Sequence, residues 1–269
     1  MTRIASRTLL VLLVGLTALY LALPAFIVVP ISFSDSQFLT FPTESYSTRW
    51  YEELFSDSVW LESALASLRV ALLSSLGATV LGVLASLAIV RGRFPGRSAL
   101  MGVLLAPLIV PYVIVGLAAY VTFLELGLTE TTLGFVLVHL ALGVPYVVIN
   151  VSAGLLSVDQ RLEMAARSLG AGPITTFLKV TLPLILPSVL TGAFFAFIIS
   201  WDEVVAAIFL SGPNMTTLPV QMWSGIRIQI DPVVAAVSTL TLSISIAAFA
   251  VLGVARLTTL LRLRRRKHR

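Results

Sequence analysis

The stretch Leu133–Leu156, LGFVLVHLALGVPYVVINVSAGLL, contains no charged residue. Crossing a bilayer takes about 20 predominantly apolar residues in helical form, and this run is long enough. Its apolar residues follow one another without the period-2 alternation of a barrel strand, so it reads as a spanning helix. The rest of the chain repeats the pattern. Five further runs, Leu9–Ile31, Ala64–Val90, Ala99–Leu124, Leu184–Leu210 and Val233–Val254, have the same character, which predicts an all-α bundle of six spans. Composition agrees: 58% of the 269 residues are apolar and 12% are charged. Mean hydropathy is +1.00. Soluble domains carry about twice that share of charge. The first run follows Arg3 and Arg7 and exceeds the roughly 7–15 residues of a signal-peptide core, so it is read as a retained span.

Pro24, Pro107, Pro111, Pro145 and Pro187 fall inside these runs. Each removes a backbone donor, and in a bundle neighbouring helices can answer the freed carbonyls. Charge then orients the zigzag. Arg3 and Arg7 precede the first span, and Arg91, Arg93 and Arg97 fill the second link. Arg161, Arg167 and Lys179 fill the fourth, and the tail 256–269 carries Arg256, Arg262, Arg264, Arg265, Arg266, Lys267 and Arg269. The alternate links hold Arg49 and Arg227 against Asp35, Glu44, Glu52, Glu53, Asp57, Glu62, Glu125, Glu130 and Asp231. The positive-inside rule therefore puts both termini in the cytoplasm. The net charge of +5 is a topology signal; the basic tail suits anionic lipid headgroups, and no folded nucleic-acid reader accompanies it.

Several chemistries are missing. There is no cysteine, no phosphate-binding loop pattern ahead of Lys179 or Lys267, no H-E-x-x-H and no G-x-S-x-G. With only His139 and His268 available, a zinc site is not expected. No catalytic residue, metal site or cofactor is assigned to this chain, which is not read as an enzyme.

The link Ser157–Pro183, SVDQRLEMAARSLGAGPITTFLKVTLP, is the longest on the basic side. Ser157 and Gln160 have capping-box spacing and predict a helix start. Val158, Leu162, Ala165, Ala166 and Leu169 recur on one side, and Gly170 with Pro173 predicts the end. The pattern fits a helix lying on lipid as well as one docking into a partner. The segment also resembles the signature loop of ABC-importer permeases: E-A-A, three residues, glycine, nine residues, I-x-L-P. Ala165, Ala166 and Gly170 match, and Val180, Leu182 and Pro183 fall at the closing positions. Met164 occupies the first place of the triplet, with Glu163 one residue earlier, which turns the carboxylate by about 100° on a helix. The resemblance implies a coupling helix docking in a groove of a cytoplasmic ATPase. Its residues would be Glu163, Met164, Ala165, Ala166, Gly170, Leu182 and Pro183.

The fifth run contains Trp201-Asp202-Glu203. An acid at bilayer depth costs roughly 2.5–3.5 kcal/mol on insertion scales and needs a partner or a wet cavity. On a continuous helix Glu203 shares its face with Ser200, Ala206 and Ala207, and Asp202 lies among Ile198, Ile199 and Val205, so Glu203 is the expected cavity-facing acid. Trp201 adds a face that attracts ammonium groups. The three are candidates for a cation path; pairing with a neighbour such as Arg69 is the alternative. His139 and Asn150 are expected as buried hydrogen-bonding groups. The outer loop Ser211–Pro232 is long enough for a short helix.

The stretch 200–240, SWDEVVAAIFLSGPNMTTLPVQMWSGIRIQIDPVVAAVSTL, and the outer segment 49–71, RWYEELFSDSVWLESALASLRVA, resemble the spermidine/putrescine-type branch of these permeases, closest to their second permease subunit. The resemblance implies a single transmembrane domain over 1–269 in a bacterial inner membrane, forming half of a path for a small organic cation. It further implies a second, homologous permease, a dimer of cytoplasmic ATPase subunits that bind the ATP and magnesium, and a periplasmic substrate-binding protein. Another small organic solute is the alternative cargo. An ion-coupled transporter would show internal symmetry, and none is visible.

Overall fold

Long apolar runs fold as helices in lipid because only a helix or a closed barrel satisfies every backbone group internally. The computed structural model describes residues 2–228, 231–247, 250 and 253, and among these the chain is helical apart from turns and two isolated bridges, Ser34↔Tyr46 and Gly212↔Met215. In chain order the helices are α1 (Thr2–Ser32), α2 (Arg49–Ser56), α3 (Ser58–Arg91), α4 (Arg97–Leu105), α5 (Tyr112–Leu126), α6 (Thr132–Ser157) and α7 (Gln160–Ser168). There follow α8 (Pro173–Thr176), α9 (Leu182–Trp201), α10 (Ala207–Leu210), α11 (Leu218–Ile228) and the apolar helix α12 (Val233–Ala247).

Four of these segments are long and apolar enough to span by themselves: residues Arg7–Ser32, Ser58–Arg91, Thr132–Ser157 and Pro173–Trp201. The run expected as one helix over Ala99–Leu124 is broken instead. Arg97–Leu108 and Tyr112–Leu126 meet at 98° and give a fifth span only as a bent pair. Pro107 and Pro111, four residues apart, each lack the amide a continuing helix needs, and Pro111 itself is extended at φ −56°, ψ 131°. Pro145 is a single lesion and α6 passes through it. Before α9 a π-turn, Phe177–Thr181, widens the backbone just ahead of Pro183. The sixth run is helical over Val233–Ala247, and most of its remainder to Val254 lies outside the described residues, as does the basic tail 256–269.

The described chain divides into two compact units, Met1–Leu61 with Met222–Arg269, and Glu62–Gln221. In the first unit α1 buries none of its apolar window, and Leu10, Val11 and Tyr20 all point outward. Such a helix would aggregate in water; in a bilayer lipid is its solvent. The turn after it is tied down by the Ser32 and Tyr51 hydroxyls at 2.7 Å and by Phe33 packing on Tyr51 at 4.9 Å between centroids.

The second unit is built on α6, the span with the largest buried share at 56%. Small residues let α3 and α9 approach it. A Cβ on Gly143 would stand 3.1 Å from Ala196 and 3.4 Å from Ala78, so the three helices cross at one small-residue point. Val147, Val148, Val151, Leu155 and Ile185 fill the core on one side of this crossing. Phe135, Val138, Leu142 and Leu210 fill it on the other.

Candidate translocation and coupling sites

Span five changes character at Trp201. The helix α9 ends there, Asp202 is its cap, and residues 203–206 form an open turn before α10. The break has a specific closure: the Glu203 carboxylate accepts the backbone N–H of Ala206 at 2.8 Å through Oε1 and that of Ala207 at 2.8 Å through Oε2. These are amides that no preceding turn of helix can answer. A continuous helix over Leu184–Leu210 is therefore not formed, and the helical-wheel ranking of the two acids reverses. Asp202 is exposed on the chain's surface, and Glu203 is 4% exposed. Trp201 is buried and stacks on Phe197 at 6.0 Å between centroids. The three residues do not line one surface.

Glu203 belongs to a polar network that sequence reasoning reached only in part. His139 Nδ1 lies 2.8 Å from Ser200 Oγ, and Ser74 Oγ donates to the same oxygen at 2.9 Å. His139 Nε2 has no hydrogen-bond partner and stands 3.9 Å from Glu203 Oε2. Ser74, His139, Ser200 and Glu203 are all buried, so α3, α6 and α9 are bound through a shared polar point inside the apolar core. His139 is buried and hydrogen-bonded as expected; Asn150 is only half-buried, and its Nδ2 donates to the Tyr146 carbonyl of its own helix at 2.8 Å. The Arg69 pairing is not made. Ser74 gave no warning in the sequence, since one serine among apolar residues is ordinary.

The segment between α6 and α9 forms the expected short helix with a different start. Ser157 closes α6, its hydroxyl donating to the Gly154 carbonyl at 2.7 Å. Asp159 is the true N-cap of α7, accepting the Arg161 amide at 2.9 Å. The end follows the predicted pattern. Gly170 adopts φ +86°, the Ala171 amide bonds the Ala166 carbonyl at 3.1 Å, and the Gly170 amide bonds Arg167 at 2.9 Å. That pair of bonds is a Schellman closure and requires a left-handed residue at Gly170. No residue of α7 is buried, and Leu162, Met164 and Leu169 are exposed. Ala165 is exposed, Ala166 half-buried, Leu182 half-buried and Pro183 exposed.

Glu163 is held by a residue far away in sequence. Arg91, the last residue of α3, donates from Nε to Glu163 Oε1 at 3.2 Å, with Nη2 at 3.1 Å from the same oxygen. Arg91 Nη2 also donates to the Val158 carbonyl at 3.1 Å. One guanidinium thus fixes both the entry to α7 and its first-turn acid. On the opposite side of the unit, Glu130 accepts from the backbone and side-chain nitrogens of Asn214 at 2.9 and 3.0 Å and anchors the loop before α11. That helix, Leu218–Ile228, is the short one expected in the outer loop.

A multi-span helical bundle, its spanning segments joined by an exposed amphipathic helix and one of them broken at an acid pair, is the architecture of a membrane permease. The chain belongs to the family of binding-protein-dependent transport system inner membrane components, whose profile matches residues 78–258. It is a multi-pass inner-membrane transport component and not an enzyme. It is 36% identical over 239 residues to the putrescine transport system permease protein PotI of Escherichia coli K12, covering 86% of this chain and 84% of that one. It is 31% identical over 228 residues to the spermidine/putrescine transport system permease protein PotC of Haemophilus influenzae, covering 85% and 88%. Among solved structures, a bacterial ABC transporter that imports the acidic polysaccharide alginate matches with a TM-score of 0.71 at 18% identity, over 93% of this chain and 96% of that one. The last match speaks for the fold alone.

Proposed function

We propose that this chain forms half of the membrane path of an ATP-driven importer for a small organic cation of the polyamine class. The observation that carries the substrate class is the identity, over more than four-fifths of each chain, to permeases named for putrescine and spermidine. Local chemistry supports it. Asp202 stands exposed at the end of an apolar span, where an unpaired carboxylate is costly unless it meets water or a cation. A shorter match to a molybdate/tungstate permease covers 65% of this chain, and an oxyanion path would gain nothing from that acid.

The partners in this proposal are a second, homologous permease, a pair of ATPase subunits and a substrate-binding protein. Helix α7 is the piece offered to the ATPase: Leu162 and Met164 on it and Leu169 at its cap are exposed, with no cover among the described residues. Glu163 works behind it by pairing with Arg91, so movement of α7 is transmitted to the end of α3.

The test is uptake of labelled putrescine and spermidine by cells lacking this chain and complemented with variants. Wild type should restore uptake, and Asp202→Asn should reduce it at least several-fold while the complex still assembles. Glu203→Gln should instead reduce assembly, because one amide oxygen replaces two carboxylate oxygens that each hold a backbone N–H. Polyamine uptake that is the same with and without the chain would overturn the substrate class.

A further inference from the structure

Three basic residues that the transport reading leaves unused converge on one void. Where α3 ends and α4 begins, against α7, the second unit forms an open cavity of about 260 Å³ whose lining includes Arg91, Glu163 and the exposed Arg93, Arg97, Met164 and Arg167. Its one carboxylate, Glu163, is already taken by Arg91. Among the described residues, the guanidinium groups of Arg93, Arg97 and Arg167 form no ion pair and no hydrogen bond. Guanidinium groups brought around one concavity repel one another, and an anion placed among them removes that cost. Of α4, its first residue, Arg97, is on the lining. The N-cap of α4 is Gly96 at φ +87°, which has no side chain to answer the first amides of the helix. Helix starts of this kind favour an oxyanion.

We propose that this cavity binds a phosphate group. Planar guanidinium forks match phosphate oxygens in pairs, which distinguishes such a ligand from chloride. The site lies at the basic end of α3, a helix long and apolar enough to span a membrane, so an anionic lipid and the aqueous solution are both sources of a phosphate group there. A phosphate diester of an anionic lipid and a free phosphate from solution share the chemistry, and the experiment separates them. A bound phosphate would bridge the α3–α4 link to α7, the helix offered to the ATPase.

The assembled importer is reconstituted in nanodiscs of equal parts phosphatidylglycerol and phosphatidylcholine, and retained lipid is read by native mass spectrometry. In parallel its thermal midpoint is followed in inorganic phosphate against chloride at matched ionic strength. Wild type should retain phosphatidylglycerol preferentially, or gain stability from phosphate, and the triple variant Arg93→Gln, Arg97→Gln, Arg167→Gln should weaken that binding by roughly tenfold or more. Lipid retention alone assigns the headgroup, and stabilisation by phosphate alone assigns the free ion. The triple change to lysine keeps the charge that sets topology and serves as the folding control; it should also lose binding, because lysine lacks the fork. Equal behaviour of wild type and both variants overturns the site. So does a wild type that favours neither probe, including the case in which an acidic segment of a partner subunit fills the cavity.

Discussion

His139 illustrates what one residue does in this protein. In water a histidine is a titrating group; here it is enclosed by α3, α6 and α9 and makes its bond to Ser200, whose oxygen also receives Ser74. Leaving buried polar partners unmatched costs about 1–3 kcal/mol each. His139→Leu should therefore lower the thermal midpoint of the purified complex, since Ser200 loses its partner and Glu203 loses the imidazole beside it. His139→Gln should recover part of the loss. An unchanged midpoint for the leucine variant would mean that the network contributes nothing to stability. Asp202 shows the opposite case: the same residue type as its neighbour in charge, yet exposed, because the backbone turns at that point.

At the scale of elements, helix boundaries decide which residues meet. The end of α7 rests on Gly170 at φ +86°, where a Cβ would touch nothing within 4 Å. A side chain there is opposed only by conformation, about 1–2 kcal/mol for a left-handed residue other than glycine. Gly170→Val should strongly reduce uptake with membrane insertion preserved, and Gly170→Asn should retain more activity because asparagine tolerates this region. Equal uptake by both variants and wild type, in cells with matched permease levels, would remove the left-handed closure from the coupling role. The bend after Leu108 is also an element-scale event. The chain turns extended at Pro111, whereas Pro145 in α6 and Pro187 in α9 are carried inside continuous helices.

For the whole molecule, the charge distribution predicts the orientation. The chain has no cysteine, so single-cysteine variants report topology without background. Ser36→Cys should react with a membrane-impermeant maleimide in cells with an opened outer membrane. Ser98→Cys should react only after the inner membrane is permeabilised. The reverse pattern would invert the positive-inside assignment.

The sequence by itself determined that this is a helical membrane protein. Length and apolarity were enough for that reading, but not to bound every span: the third run is broken at 98°, and the fifth runs over Pro173–Trp201 in place of Leu184–Leu210. The sequence also determined the end of α7, since a left-handed closure needs its glycine wherever the helix lies. It misplaced the start of α7, because Ser157 and Asp159 are both good caps and only the ending of α6 selects between them. The tertiary structure alone decided the break at Trp201, the reversal of Asp202 and Glu203, and the Arg91–Glu163 pair. Each depends on groups far apart in sequence, or on backbone amides released by a turn, and neither leaves a local pattern. Periodicity reports which face of an unbroken helix a residue occupies; it carries no information once the helix stops.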